Sequence, residues 1–512
     1  MKLINNFLYK IKFKLYLKYY LKIMRNRKSF KNKIRSLKLQ FFDVEYNFDN
    51  YLTNKIFKNL PINLATFFRQ YNFFKLIRPE KLNFFLLKSK TFNYPLTHEQ
   101  IIILRKNGFI INNFISSSLF FLSCIKEFFL GILFFLIINF KSIINLVKID
   151  KLSKNKIYIK NLTTDQIKSF KDQPNNIKNW LKEKFFLNNH ILVHDNKYCK
   201  NYYNFNRLFL PELNTISEVF RFNFYFFKFI FLILIDSFFL RFKQFFIFSE
   251  IVKLCSSLSK NEDYYKNNFF FFNGTAFFRP LFSYNLGKNT FFIEYSLNQH
   301  FIYMSDDVKE KQYDWRNLTW SNYILWNDQQ KKLFEENQDI KAKYYIFGPI
   351  SFGLSKPIAL KEKYENSILI FDSIPFRKSF TATYNVYSPN YFDNNIIKFL
   401  TDISNLDNKY SLYIKPKRKF YKDYSKKYKK FFKQNSKFNI LHYNNSPEDV
   451  IKKFDKIICL PFSSTAYIAK NMNKEVCYYD VVGIHEDFDN IIKDIPIFRK
   501  FSDLKNWSES EK

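Results

Sequence analysis

The sequence predicts an α/β protein: two Rossmann-like parallel-sheet units preceded by a helical, membrane-associating N-terminal region. Three observations predict it. From residue 268 onward, short β-type runs alternate with helical stretches, the pattern of parallel sheets with crossover helices. Five of the seven glycines fall between Gly274 and Gly483, inside that alternation. Before residue 260 the apolar runs are long and Phe-rich, broken by single charges.

A chain of 512 residues, 47% hydrophobic, has the material for several cores. Its 68 Phe and 35 Tyr, beside abundant Lys, Asn and Ile, fit an A+T-rich coding sequence, so the net charge of +37 is discounted as a functional signal. Physically it still attracts phosphate, on anionic lipid or on nucleic acid. Five scattered cysteines, with no CxxC, fit a reducing compartment without disulfides or a zinc site. No metal-ligand spacing occurs, and neither a metal nor another cofactor is expected.

Three regions follow in order. Residues 1–150 form the helical, basic and apolar region. No acid precedes Asp43, and the first 30 residues read as a basic amphipathic helix for an anionic membrane face. Residues 109–140 are the most apolar part. Phe128–Phe140 is too short to cross a bilayer alone, and Lys126 and Glu127 put an ion pair in the middle of the longer run. A re-entrant, interfacial or buried helix fits better than a clean span. Residues 151–365 form the first Rossmann-like unit, the acceptor side, interrupted by one long Phe-rich helix over 215–258. Residues 366–505 form the second unit, the donor side, with five strands: SILIF, YSLYI, FNI, IICL and EVCYY. Two such units facing across a cleft are the arrangement called GT-B.

In open parallel sheets, ligands bind beyond the carboxyl ends of the strands. Three ends of the second unit carry polar clusters: Asp372, the cationic loop Lys415, Lys417 and Arg418, and the turn Ser463, Ser464 and Thr465. The cations suit a phosphate or pyrophosphate. The hydroxyl turn opens a helix, where dipole and backbone N–H groups favour an anion. Asp480 ends the following strand and suits a ribose or sugar hydroxyl. In the first unit Glu294 closes FFIE, and it or an acid of residues 306–314 is the candidate base for a hydroxyl acceptor. Glu294 and Asp372 are therefore the catalytic candidates. No GxGxxG, P-loop, HExxH or nucleophile elbow occurs, so the matching oxidoreductase, NTPase, protease and hydrolase readings lack support.

LPFSSTAYIAKNMNKEVCYYD, residues 460–480, resembles the signature of bacterial polysaccharide-biosynthesis proteins named for a Pro-Phe-Thr-Ser motif. Pro461, Phe462, Ser464, Thr465, Ala466, Tyr478, Tyr479 and Asp480 match, and Ser463 keeps the hydroxyl of the family's threonine. IFDSIPFR, YIFGPI, the Trp315–Trp326 segment and IKPKR are similar too, so the resemblance covers about 270–500. The motif order is also similar to that of bacterial sialyl- and Kdo-transferases of GT-B type. There a His-Pro turn and a Ser-Ser/Thr turn hold a CMP-sugar; here Lys415-Pro416 stands at the first and Ser463-Ser464 at the second. The resemblance implies a metal-independent glycosyltransferase of capsule or lipopolysaccharide type. It would take a nucleotide-sugar donor, CMP-linked in the first instance, and a glycan or lipid-linked acceptor. Its expected place is peripheral, on the cytoplasmic face of the inner membrane, with no nucleic-acid partner. The alternatives are an integral membrane protein of polysaccharide assembly or export, and a basic nucleic-acid binder.

Overall fold

The computed structural model describes residues 95–106, 110–147, 156–160, 180, 183–184, 191–194, 213–236, 243–273, 279–286, 289–294, 320–337, 341–349, 360, 362–372, 393–407, 409–416, 426–443, 445–461, 463–481 and 494–510. The basic segment 1–30, the acids of 306–314, Lys417, Arg418 and the expected strand at 301–304 lie outside them.

A helical bundle comes first. Helix α1 (His98–Lys106) opens with a capping box. Thr97 N–H donates to Gln100 Oε1 (3.0 Å), and Gln100 N–H to Thr97 Oγ1 (3.3 Å). Helix α2 (Asn113–Val147) is long and apolar enough to cross a membrane. Its buried positions, Ser116, Phe120, Cys124, Glu127, Gly131, Phe134, Ile138 and Ser142, recur every three or four residues, one face of a helix. Lys126 and Glu127 do not pair across that helix as the sequence reading expected. Successive helical residues point about 100° apart, so Lys126 faces out while Glu127 turns inward and accepts from Ser249 Oγ (2.6 Å).

The single helix expected over 215–258 is two. Helix α3 (Ile216–Asp236) and helix α4 (Phe248–Leu258), the latter entered through a 3₁₀ turn at Lys243–Ile247, fold back on each other. The return is fixed by a buried pair, Lys260 Nζ to Glu218 Oε2 (2.9 Å), at the far end from the tilted ring contact of Phe226 with Phe248 (6.1 Å). Phe recurs along α3 and through the 3₁₀ turn into Phe248, so no polar residue cluster marked the break in the sequence.

The first sheet has six strands, all parallel: β1 (Lys156–Lys160), β2 (Ile191–His194), β3 (Asn268–Asn273), β4 (Thr290–Glu294), β5 (Asn322–Leu325) and β6 (Lys343–Ile346). Their order is β2-β1-β3-β4-β5-β6, a flavodoxin-like doubly-wound order extended by one strand. Helices α5 (Glu262–Tyr265), α6 (Leu281–Tyr284) and α7 (Asp328–Asn337) accompany it, and Phe269, Phe271, Phe292, Trp320 and Tyr323 form one core. Strand β5 was not expected; it is four residues long and lies close between Trp320 and Trp326.

The second sheet is also all parallel: β7 (Ser367–Phe371), β8 (Ser411–Lys415), β9 (Phe438–Ile440), β10 (Lys456–Cys459), β11 (Glu475–Tyr479) and β12 (Ile497–Phe498). Its order, β12-β11-β10-β7-β8-β9, is the Rossmann order 3-2-1-4-5-6 read from the other edge. Five strands were expected; the sixth, β12, is only two residues. Side chains alternate across the sheet. Ile368 and Ile370 face α8 (Asp393–Ser404), α9 (Lys426–Gln434) and α12 (Phe501–Glu509). Leu369 and Phe371 face α10 (Pro447–Ile451) and α11 (Ser464–Asn471). Both faces are covered, which explains why these strands read as continuous apolar runs.

The chain is thus mixed α/β with two parallel sheets. Contacts join elements of the two: Tyr467 Oη on α11 donates to Gln329 Oε1 on α7 (3.2 Å), and Trp326 packs in the core beneath β7 while its indole N–H donates to Glu294 O (2.9 Å).

Candidate functional site

In the second sheet the strands β7, β8 and β9 run to one edge, and the chain then crosses back to lay β10, β11 and β12 on the other side. Strands β7 and β10 are therefore neighbours whose successors lie on opposite sides, the switch point where doubly-wound sheets bind ligands. Register aligns the candidates. Lys415, Phe371, Cys459 and Tyr478 stand in one row across four neighbouring strands at the carboxyl edge. The three clusters picked out by sequence do converge on this edge, as their described members Asp372, Lys415 and Ser463–Thr465 show.

The hydroxyl turn is built tightly. Pro461 stops β10 because it cannot donate to the ladder. Ser463 N–H returns to Leu460 O (3.0 Å), closing a turn, and Ser463 becomes the N-cap of α11, its Oγ accepting from Thr465 N–H (3.3 Å). The Ser463 and Thr465 hydroxyls share a short hydrogen bond, and Thr465 Oγ1 lies 3.5 Å from Cys459 Sγ. Burial pushes the Cys459 thiol up to about 12, so it is neutral. Tyr478 on β11 donates to Ser463 O (2.8 Å) from beneath. Helix α11 ends in a Schellman motif with Asn473 in the left-handed region (φ 56°); Asn473 N–H bonds Lys470 O and Lys474 N–H bonds Ala469 O. The turn is therefore held at both ends of its helix and from below, with the positive end of the helix dipole at the crevice.

Lys415 ends β8 and is 5% exposed. Its ammonium lies 3.4 Å from Pro416 O and from Tyr443 O, which solvate it in place of water. Its electrostatic neighbour is Glu448, which sequence reasoning missed. Burial raises the Glu448 carboxyl above the usual range and neighbouring Asp449 adds to that, while Ser446 and Lys415 pull it back. Ser446-Pro447-Glu448-Asp449 begins α10 just past β9. Ser446 caps it, accepting from Asp449 N–H (3.0 Å) and donating to Asp449 Oδ2 (2.7 Å). Ser followed three residues later by an acid, with Pro at the first helical position, was the available signal. It reads as a plain helix start until the sheet places it beside a buried cation.

The candidate acids Asp372, Asp480 and Glu294 are all buried. Asp372, 6% exposed, accepts a short hydrogen bond from Tyr428 Oη, and Tyr428, on α9, is fully buried in the core that α8 also lines. Asp480 is 1% exposed, with its N–H donating to Phe498 O (2.8 Å). Next to it Tyr479 Oη donates to Asp402 Oδ2 (2.7 Å), tying β11 to α8. Glu294 ends β4 in the other sheet and is 0% exposed. A second buried polar residue there, Arg279, was also missed. It donates to Ser283 O (3.0 Å) and stacks over Tyr284 and Trp320, centroids 4.2 and 5.0 Å away, tying α6 into the sheet.

No curated protein matches the chain. The crystal structure of TarM aligns with 50% of this chain and 50% of its own, at 14% identity and a TM-score of 0.29, so the chain spans half the length of that structure. The family model of the polysaccharide biosynthesis PFTS motif proteins matches residues 228–508, more than half of the chain, from α3 through α12. That span contains the Pro461-Phe462-Ser463-Ser464 turn and every element of the second sheet, and it shows that the chain belongs to the polysaccharide biosynthesis PFTS motif protein family.

Proposed function

We propose that the chain is a glycosyltransferase that moves a sugar from a nucleotide-sugar onto a surface polysaccharide or a lipid-linked glycan. The observation that carries this reading is one edge. Lys415 and the Ser463–Thr465 turn flank the switch point of a Rossmann-order sheet in a polysaccharide-biosynthesis protein. A nucleotide diphosphate or monophosphate leaving group develops negative charge as the glycosidic bond to the donor breaks. A fixed ammonium and the N-terminus of α11 stabilise that charge without reorganising. The residues of the Lys415 loop, Lys417 and Arg418, extend the same cationic edge in sequence. Glu448 suits the ribose hydroxyls, which hydrogen-bond to a carboxylate, and Asp480 stands behind that wall. The transfer is of GT-B type in this reading, with the first sheet receiving the acceptor, and it needs no metal because the protein's own cations face the phosphate.

For the base that takes the acceptor's proton the reading keeps Glu294, at the carboxyl edge of the first sheet. Asp372 fits a positioning role, since Tyr428 holds it toward α9. A thermal-shift series with CMP-, UDP-, GDP- and dTDP-sugars tests the donor site. One nucleotide class stabilises the parent, and Ser464→Ala and Lys415→Ala lose most of that stabilisation. Equal stabilisation of parent and both variants would remove the donor site from this edge.

A further inference from the structure

The two long helices carry a second surface, independent of the donor site. On α3, Ile216, Phe220, Phe224, Phe227, Phe231 and Leu234 are all exposed, at steps of four, four, three, four and three. They make one unbroken apolar stripe. On α2, Phe114, Phe121, Phe129, Leu136, Phe140 and Ile143 do the same along the outer side; Phe129 is 65% exposed and Phe220 75%. Helix α4 lies beneath both, against Phe128 of α2 and Phe226 of α3, so both stripes face away from it. Phe135 stacks on Phe226 (3.8 Å) and Asn139 bonds Asn223 (3.0 Å), so the two helices run in opposite directions where they meet.

We infer that α2 and α3 lie in the plane of one membrane leaflet, half immersed, and bind anionic headgroups, and that α2 does not cross the bilayer. Length argues first. The stripe from Phe114 to Ile144 is about 45 Å long, against a hydrocarbon core of about 30 Å. Keeping the whole stripe in hydrocarbon while spanning would need a tilt near 48°, beyond the usual range of about 0–40°. Attachment argues second. The inner side of α2 is fastened along its length: Phe120 to Phe246 (5.6 Å), Glu127 to Ser249 (2.6 Å), Gly131 to Phe248, and Asn139 to Asn223. The elements it is fastened to lead straight into the first sheet, since Ser257 Oγ on α4 donates to Phe282 O on α6 (3.2 Å). A crossing would drag α4, with its buried Glu250 and Lys253, into hydrocarbon.

Charge selects the lipid. Within the stripes the exposed ionic groups are Lys126 and Lys228. The acids Glu127 and Glu218 are buried on the inner side, Glu218 bonded to Lys260. Among the described side chains the outer face is therefore positive wherever it is charged, and its lysines can extend their ammoniums to headgroup phosphates while their stems lie on the apolar stripe.

Flotation of the full chain with phosphatidylcholine vesicles, with and without phosphatidylglycerol, tests this. The chain floats with the anionic vesicles. Phe220→Ser with Phe231→Ser lowers the bound fraction about tenfold or more, at unchanged thermal unfolding without lipid, because both side chains are exposed. Lys126→Gln with Lys228→Gln weakens binding to anionic vesicles only. Equal binding to neutral vesicles would overturn the headgroup assignment. Ile115→Cys and Ile144→Cys, at opposite ends of α2, react with a membrane-impermeant maleimide from the same side of sealed vesicles; reaction from opposite sides would show a span. A lipid-free dimer that Phe220→Ser breaks, with no flotation, would assign the face to a second copy and sink the inference.

Discussion

Tyr478 donates its phenolic hydrogen to the carbonyl oxygen of Ser463 across 2.8 Å, so a fully buried side chain on β11 fixes the position of the turn that follows β10. Removing that hydroxyl leaves the ring in place and frees the turn. Tyr478→Phe should cost about 1 kcal/mol in unfolding, and should weaken nucleotide binding by a larger factor than any fall in stability explains. Calorimetric titration beside denaturant unfolding separates the two.

Ser463 and Ser464 should respond differently. Ser463→Ala removes the cap of α11 and a partner of Thr465, costing about 1 kcal/mol. Ser463→Thr restores the hydroxyl and should recover it. Ser464→Ala leaves the cap intact, so its effect should appear in ligand affinity with little change in the melting curve.

Glu448 gives a pH signature. Its folded carboxyl titrates above the ordinary value of 4.5 because burial outweighs Ser446 and Lys415. A raised carboxylate favours the folded state below its unfolded pKa and loses that contribution as pH rises through the folded pKa. Glu448→Gln cannot ionise. It should be more stable than the parent at about pH 8, with the advantage vanishing below about pH 4. Melting curves across that range read the crossover; a constant difference would mean that Glu448 is not the titrating group.

Gly131 sits where a methyl group would lie 2.4 Å from Phe248 Cδ1. Gly→Ala inside a helix gains at most about 1 kcal/mol from propensity. Overpacking against a ring that is 1% exposed costs about 1–3 kcal/mol. Gly131→Ala should therefore destabilise the bundle, while Gly131→Ala with Phe248→Leu should recover part of the loss.

Tyr428 and Asp372 form a buried pair. Tyr428→Phe leaves the carboxylate without that donor and should cost about 1–3 kcal/mol. Asp372→Asn should cost less, because the amide is neutral. If Asp372 positions rather than reacts, Asp372→Asn lowers turnover only moderately and leaves the pH profile of the rate unshifted.

Much of the second sheet was readable from residue types. Around Pro461 the pattern changes from a β-type run to capping hydroxyls and then to a helix, and each change has a local cause. Strands β5 and β12 were not readable, because four residues near two Trp and two residues before a helix carry no period to measure. The break between α3 and α4 was hidden for the opposite reason: a Phe-rich run that continues from α3 through the 3₁₀ turn to Phe248 carries no turn signal. At the site, Lys415 and the hydroxyl turn were found because charge and capping are local signals. The burial of Asp480 and Glu294 and the pairing of Asp372 with Tyr428 depend on which strands become neighbours. Glu448 stayed hidden because its meaning comes from β8, more than thirty residues earlier.

Strand β7 is central, yet one of its two neighbours, β10, begins about 85 residues later in the chain. At a ribosomal rate of about 5–20 residues per second, SILIF waits several seconds with one edge open, its five residues all destined for burial. The ligand crevice exists only once that gap is closed, because it is the seam between β7 and β10. The arrangement that creates the binding edge therefore also opens an aggregation-exposed interval in making the protein, and a chaperone that masks extended apolar segments should find a target at Ser367–Phe371.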